Sequence, residues 1–245
     1  MSRRRLDAEL VRRGMADSRA RAQDAVLAGR VLVSGSLATK PDRLVLDSEP
    51  IELAGPTARY VSRGGEKLEA ALEELGIDVR AKRCLDVGSS TGGFTDCLLQ
   101  HGAGCVVALD VGRGQLAWSL RNDDRVEVLE RTDVRDVSSA RIGDVDLVTV
   151  DVSFISLRTV LPVVARLAPR AEVVALVKPQ FEVGKRNVPK GGVVRDPVLQ
   201  SRVVSEIAAG AERIGYRCRG AMPSPITGTH GNREFLLYLE PGVGA

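Results

Sequence analysis

Histidine is scarce in this chain of 245 residues: His101 and His230 stand alone, too few to assemble a histidine-based metal cluster. The four cysteines, Cys84, Cys97, Cys105 and Cys218, lack the paired CxxC spacing of a zinc site and are expected to be reduced and mostly buried. Long apolar runs are missing too. None approaches the roughly 20 residues that cross a bilayer, and the opening MSRRRLDAELVRRG carries charge where a signal peptide has its apolar stretch. The expected location is the cytoplasm, with no metal and no membrane contact. Two common nucleotide signatures are also absent, the GxGxxG fingerprint and the P-loop that closes on Gly-Lys and a hydroxyl residue. What remains is a chain 44% hydrophobic, with a net charge of only +3 and length enough to bury a sizeable core.

The charge is unevenly spread. Residues 1–43 hold ten Lys or Arg against five Asp or Glu, an excess of +5. Leu6, Leu10 and Val11 mark a first helix ending near Gly14, and Ser18 is a plausible N-cap for a second helix running to about Ala28, with Gly29 as its stop. RVLVSGSLATKP then reads as a short strand, a Ser-Gly turn and an extended exit. This pattern resembles the small α+β RNA-binding domain first known from ribosomal small-subunit protein four. The resemblance implies that a basic face rests on folded RNA, with Arg3, Arg4, Arg5, Arg12, Arg13, Arg19 and Lys40 as contacts and Arg59 and Arg63 continuing them. The expected division is an RNA-binding domain over 1–55, a linker over 56–65 within LAGPTARYVSRGG, and a second domain over 66–245.

From residue 83 short β-rich runs alternate with helical patterns, the signature of a doubly wound α/β sheet. Strands are expected at 84–88, 106–110, 126–130, 145–151 and 172–178, then at 216–221 and 234–240. The last two have no helix between them and should pair antiparallel. CLDVGSSTGGFTDCLL, residues 84–99, runs the first of these strands through a glycine-rich turn into a helix. Its glycine spacing resembles the first motif of S-adenosylmethionine methyltransferases, and the strand pattern resembles their class I, Rossmann-like fold with a reversed last strand. The resemblance implies a cofactor lying against Gly88, Ser89, Ser90, Thr91, Gly92, Gly93 and Phe94, so that valine at Gly88 or Gly92 is expected to fill its space. Asp110 ends the second strand, where a carboxylate can accept from ribose hydroxyls, with Val111 beside it. Asp133, with Val134, is placed after the third strand to accept from an adenine amine.

The target atom follows from what stands after the fourth strand. Asp151, Val152, Ser153 and Phe154 read DVSF, without the prolines of the tetrapeptide that amino methyltransferases of bases carry, and no cysteine lies near to attack a cytosine ring. Lys67, Asp151, Lys178 and Glu234, in that order, instead resemble the catalytic tetrad of FtsJ-type RNA ribose 2′-O-methyltransferases. Lysine at the end of a buried strand is costly unless carboxylates surround it. The expectation is that Lys178 meets the 2′-hydroxyl and stays charged between Asp151 and Glu234, chiefly positioning the oxygen, with proton removal through a carboxylate or water as the open alternative; Asp151 orients it, Lys67 holds the target nucleotide, and Glu234 fixes the lysine or the ribose.

The likeness extends along the chain. RYVSRGGEKL, CLDVGSSTGGFTD, DVGRGQLAWSLRND, VDLVTVDVSFISL, VKPQFEVGK and GGVVRDP, with the N-terminal module, resemble the TlyA family, whose members are often labelled haemolysins. The resemblance implies 2′-O-methylation of cytidines in ribosomal RNA, ribosomal subunits as partners, and an effect on sensitivity to capreomycin-type antibiotics. The basic N-terminal extension favours action on both subunits. The end at LYLEPGVGA, without the helical extension of some dual-specificity members, keeps large-subunit RNA alone as the alternative. A membrane-active haemolysin is the competing class. The narrow apolar faces of the arginine-rich helices, and the assignment of every long apolar run to a core strand, speak against it. A non-catalytic RNA-binding protein on a vestigial cofactor fold is the third, opposed by the four-residue set.

Overall fold

The computed structural model describes residues 3–27, 29–53, 59–184, 188–189, 191–228 and 231–242. Residues 56–58 of the expected linker, Ala28 and His230 lie outside them. The chain forms two compact units, Met1–Arg59 and Tyr60–Ala245.

In the first unit β1 (Arg3–Arg5) leads into α1 (Leu6–Arg12) and α2 (Arg19–Leu27), followed by β2 (Val31–Val33), β3 (Ser36–Leu37), β4 (Leu44–Leu46) and β5 (Ile51–Leu53). The second helix opens as its sequence suggests, with the Arg21 amide donating to Ser18 Oγ at 3.3 Å. Strands β3, β2 and β5 form one small sheet, while β1 pairs antiparallel with β4. Leu6, Leu10, Ala22, Val26, Val31, Val33 and Val45 fill the core between them.

Two acids are buried in that core. Asp7 is 0% exposed and Glu9 1%, although both looked like ordinary surface charges in the sequence. Asp7 accepts from Arg5 at 2.9 and 3.1 Å, from Gln23 at 2.8 Å and from Arg19 at 3.3 Å. Glu9 accepts from Arg12 at 2.6 and 2.8 Å and from Arg13 at 2.7 Å. Arg4 stands 3.6 Å from Glu9. The hydrogen bonds from Arg5 and from Arg12 are the main reason that both carboxyls lie well below the usual carboxylate range, against the opposing effect of burial. Arg5, Arg12, Arg13 and Arg19 thus carry a structural role that the charge count did not reveal.

A depressed carboxyl stabilises while ionised. The contribution of Asp7 and Glu9 is complete above about pH 4 and fades as the pH falls towards their folded values. Replacing Arg5 and Arg19 together with alanine strips both guanidiniums from buried Asp7. The melting midpoint of this module is expected to fall by roughly 5–10 °C in calorimetry, whereas replacing exposed Arg3 and Lys40 leaves it unchanged. An unmoved midpoint in the first variant would show that the Asp7 pairs are dispensable.

The second unit opens with α3 (Gly64–Glu74), which begins inside the stretch read as linker. There follow β6 (Arg83–Val87), α4 (Gly93–Gln100), β7 (Cys105–Asp110), α5 (Trp118–Arg121), β8 (Val126–Glu130), α6 (Ser139–Ile142), β9 (Leu147–Val150), α7 (Leu157–Leu167), β10 (Glu172–Val177), α8 (Pro179–Glu182), α9 (Pro197–Glu212), β11 (Tyr216–Pro223) and β12 (Phe235–Pro241). The sheet order is β11-β12-β10-β9-β6-β7-β8. Every neighbouring pair from β10 to β8 is parallel, and β12 runs antiparallel to both β10 and β11. The expected doubly wound sheet with a reversed last strand is present.

One face of the sheet packs with Leu68, Leu72, Leu98 and Leu120, from α3, α4 and α5. The other packs with Ile142, Val160, Leu161, Val164, Val203 and Ile207, from α6, α7 and α9. Apolar strand residues such as Val106–Leu109 and Val173–Val177 are buried, as a sheet covered on both faces requires. All four cysteines are free. Cys84 and Cys97 are buried, but Cys105 and Cys218 are only half-buried, short of the burial expected of them.

Candidate active site

The chain proceeds outward from β6 to β7 and β8, then returns to lay β9 on the other side of β6. Ligands of open α/β sheets bind at such a reversal, beyond the carboxyl ends of the strands. Gly88 follows β6 and Asp151 follows β9, so the two residues meet at that point. A Cβ on Gly88 would lie 2.4 Å from the Asp151 carbonyl oxygen, and φ there is +85°. Gly92, with φ +96°, is crowded from the core side: its Cβ would meet Leu120 at 2.3 Å and Leu116 at 2.8 Å. Room for a ligand was the expected reason for these glycines. Packing of the protein against itself already demands them.

The turn is tied to the second strand. Asp110 accepts from the Ser90 amide at 2.8 Å with one carboxylate oxygen and from the Gly112 amide at 2.6 Å with the other. The segment beyond folds over the turn, with Ser90 Oγ donating to Gln115 at 3.3 Å and the Ala117 amide to the Thr91 carbonyl at 3.1 Å. Val111 is 69% exposed beside Asp110, while Phe94, Gly93 and Val134 face the interior and Ser89 is buried in the turn. Asp133 is a turn cap: it accepts from the Arg135 amide at 2.9 Å and pairs with the Arg135 side chain at 2.6 Å, which pulls its carboxyl below the usual range. An adenine amine would have to share those oxygens. The chemistry of these residues fits S-adenosylmethionine. Each Asp110 oxygen keeps acceptor capacity beyond one backbone amide, and Val111 leaves apolar surface uncovered next to it.

Behind the turn Asp86 is fully buried, accepting from Thr95 at 2.7 Å and Thr149 at 2.9 Å. Burial pushes its carboxyl up to about 6, against the pull of the threonine hydroxyls.

Three members of the tetrad arrive at one edge by register. Val150 lies opposite Ala175 and Val177 opposite Phe235, so Asp151, Lys178 and Glu234 are the first residues beyond three adjacent strands. Each stands just outside its strand, where it was expected to be the terminal strand residue. The structure resolves them into two ion pairs. Lys178 Nζ is 2.6 Å from Asp151 Oδ1 and donates to Ser153 Oγ at 3.0 Å. Lys67, reaching from α3, donates to Glu234 Oε2 at 2.6 Å, and that pair is nearly buried, with side chains 11% and 4% exposed. Glu234 was expected to flank Lys178, but its partner is Lys67.

Several contributors escaped sequence reasoning. Ser153 is the second acceptor of Lys178. Gly228 admits the Glu234 carboxylate, since a Cβ there would lie 2.3 Å from Oε1. Glu182, on α8, accepts from Ser156 Oγ at 2.5 Å and from the Leu157 amide at 2.8 Å, tying the loop after Lys178 to the loop after Asp151. Phe181 and the exposed Phe154 pack across the same two loops, with centroids 5.2 Å apart. Of the remaining expected contacts, Arg63 is exposed and donates to the Thr227 carbonyl at 3.3 Å, and Arg59 is the last residue of the first unit.

The FtsJ-like methyltransferase family matches residues 60–240, and the S4 domain family matches residues 4–51. The 16S/23S rRNA (cytidine-2′-O)-methyltransferase TlyA of Mycobacterium tuberculosis is 53% identical over 243 residues, 98% of this chain and 91% of that one. This chain belongs to the TlyA family of FtsJ-like methyltransferases. Its fold and family make it an enzyme that uses S-adenosylmethionine. A 23S rRNA (cytidine-2′-O)-methyltransferase TlyA of Campylobacter jejuni is 41% identical over 200 residues, covering 80% of this chain and 76% of its own. A hemolysin-named structure from Streptococcus thermophilus superposes with a TM-score of 0.78 at 40% identity, covering 99% of this chain and 90% of that one. Among the described residues no helix is long and apolar enough to cross a membrane.

Proposed function

We propose that this member of the TlyA family transfers a methyl group from S-adenosylmethionine to the ribose 2′-hydroxyl of cytidine in ribosomal RNA. The observation that carries this reading is the Lys178–Asp151 ion pair, standing beyond adjacent parallel strands beside the glycine turn. The bound cofactor supplies a methyl group already activated on a sulfonium, so the protein must chiefly position the acceptor oxygen. Lys178 holds that oxygen and stabilises the negative charge that develops on it as its proton passes to a carboxylate or to water, and Asp151 and Ser153 aim the ammonium. Lys67 and Glu234 brace the edge on the α3 side, where they frame the ribose. Asp110 and Val111 take the ribose and adenine of the cofactor, Gly88 to Gly93 its amino-acid end, and Asp133 an amine edge of the base.

The N-terminal module docks on ribosomal RNA through Arg3, Arg4 and Lys40 and through the outer edges of Arg5, Arg12, Arg13 and Arg19, with Arg59 and Arg63 extending the contact. The basic extension supports RNA of both subunits as substrate, in the cytoplasm, and methylation there is expected to alter sensitivity to capreomycin-type antibiotics. Incubation with labelled S-adenosylmethionine and purified small and large subunits, followed by mapping of sites that resist alkaline cleavage, tests the reading. Label confined to cytidines with a blocked 3′ cleavage is the expected result. Incorporation that leaves cleavage intact would place the methyl on a base and overturn the choice of target atom.

A further inference from the structure

Two buried amides lace together the segment before α9 and the segment before β12. Asn232 accepts from the Val194 amide at 2.9 Å and donates to the Gly192 carbonyl at 2.9 Å; Gln200 donates to the Val194 carbonyl at 2.7 Å. The Gly228 amide closes on the Asn232 carbonyl at 2.9 Å. Asn232 is 2% exposed and Gln200 5%, and burial of such groups is costly unless their partners are supplied. This lacing ties together the two segments that carry Arg195 and Arg233. Arg195 directly follows Val194 and Arg233 directly follows Asn232, and both are exposed.

Neither guanidinium meets a carboxylate among the described residues. Their adjacent acids are engaged elsewhere. Asp196 caps α9, accepting from the Val198 amide at 2.9 Å, and Glu234 pairs with Lys67. Some exposed arginines of this unit find acids, since Arg158 and Arg202 share Glu206 and Arg219 pairs with Glu240, whereas Arg113, Arg131, Arg141 and Arg170, like Arg195 and Arg233, pair with none among the described residues. Arg233 also adjoins the tetrad through Glu234. In RNA the carbon next to the one bearing the 2′-hydroxyl carries a phosphate, so a ribose presented to Lys178 brings that phosphate to the same edge.

We propose that Arg195 and Arg233 clamp the backbone phosphates flanking the target ribose, an inference that rests on ribose methylation as the reaction of this site. Arginine suits the task because its planar fork grips phosphate oxygens in pairs. The chemistry recognised is the RNA backbone, so the clamp adds affinity and register without base preference.

The test compares wild type with Arg195→Ala, Arg233→Ala and the double variant in filter binding of ribosomal subunits across a salt series, alongside methylation kinetics. Loss of two phosphate contacts is expected to lower the log–log salt slope by roughly 1–2. It should also raise the subunit KM about ten-fold or more, while S-adenosylmethionine affinity and kcat at saturating subunit stay within about two-fold. Lysine at both positions should restore most of the slope, because it keeps the charge, and only part of the affinity. An unchanged salt slope overturns the clamp, whatever the activity. A fall in kcat with the slope intact also overturns it, since that would assign the arginines to the fold of the edge. A protein that methylates no ribosomal RNA yet shows the lowered slope in the double variant would retain the phosphate contact and refute ribose methylation.

Discussion

Lys178→Ala is expected to lower kcat roughly 100–1,000-fold, the scale measured when one donor to a developing oxyanion is removed. The glycine turn proposed to hold the cofactor lies on the other side of β9, and Lys178 touches Asp151 and Ser153 rather than that turn. S-adenosylmethionine affinity therefore stays within a few-fold in calorimetry, and subunit binding persists. Asp151 remains partly open to solvent, at 23% side-chain exposure, so the freed carboxylate can hydrate and the fold survives. Lys178→Arg is expected to fail as well, because a planar fork cannot take the place of a compact ammonium between Asp151 and Ser153. Near wild-type turnover in single-turnover assays of Lys178→Ala would remove Lys178 from the chemistry. Lys67 makes a poor substitute probe. Its removal leaves Glu234 buried and unpaired, at a cost of about 3–5 kcal/mol, so lost activity there would report on folding as much as on catalysis.

Gly88→Val is expected to eliminate cofactor binding in calorimetry and with it turnover, while the N-terminal module keeps its own melting transition. The cause is internal. At φ +85° a branched side chain is strained by about 1–3 kcal/mol, and its Cβ would press into the Asp151 carbonyl. The loop carrying Asp151 and Ser153 must then move away from Lys178, so the variant damages the crevice and the ion pair together. Unchanged affinity for S-adenosylmethionine would show that the turn does not hold the cofactor. Gly92→Val is expected to act by a different route, through Leu116 and Leu120, and so to show its largest effect on the stability of the second unit.

The strands were legible because β-branched runs such as VVAL and EVVALV suit a sheet buried on both faces, and each fell within a residue or two of its observed bounds. The reversed strand was legible too, from the lack of a helix between residues 223 and 234. Which charges pair was not. Lys67 and Glu234 are 167 residues apart, and their meeting depends on how α3 lies against β12, which no local pattern encodes. In the first unit the arginines advertised a surface, but Asp7 and Glu9 lie on the buried side of α1 and draw five of those arginines to themselves. Burial of an acid leaves no mark in composition. Gly92 shows the same limit: spacing marked it as a turn residue, yet only the packed position of Leu120 explains why a side chain is forbidden there.

The place of β12 governs the order in which the site can come into being. It is later in the chain than every other strand, yet it lies inside the sheet, between β10 and β11. Until β12 is made, β11 lacks its neighbour in the sheet and Lys67 lacks Glu234. Insertion of the final strand supplies both at once. Glu234 is therefore absent until synthesis has reached the last strand, and a protease that trims the chain back to β11 would leave Lys67 without its acid.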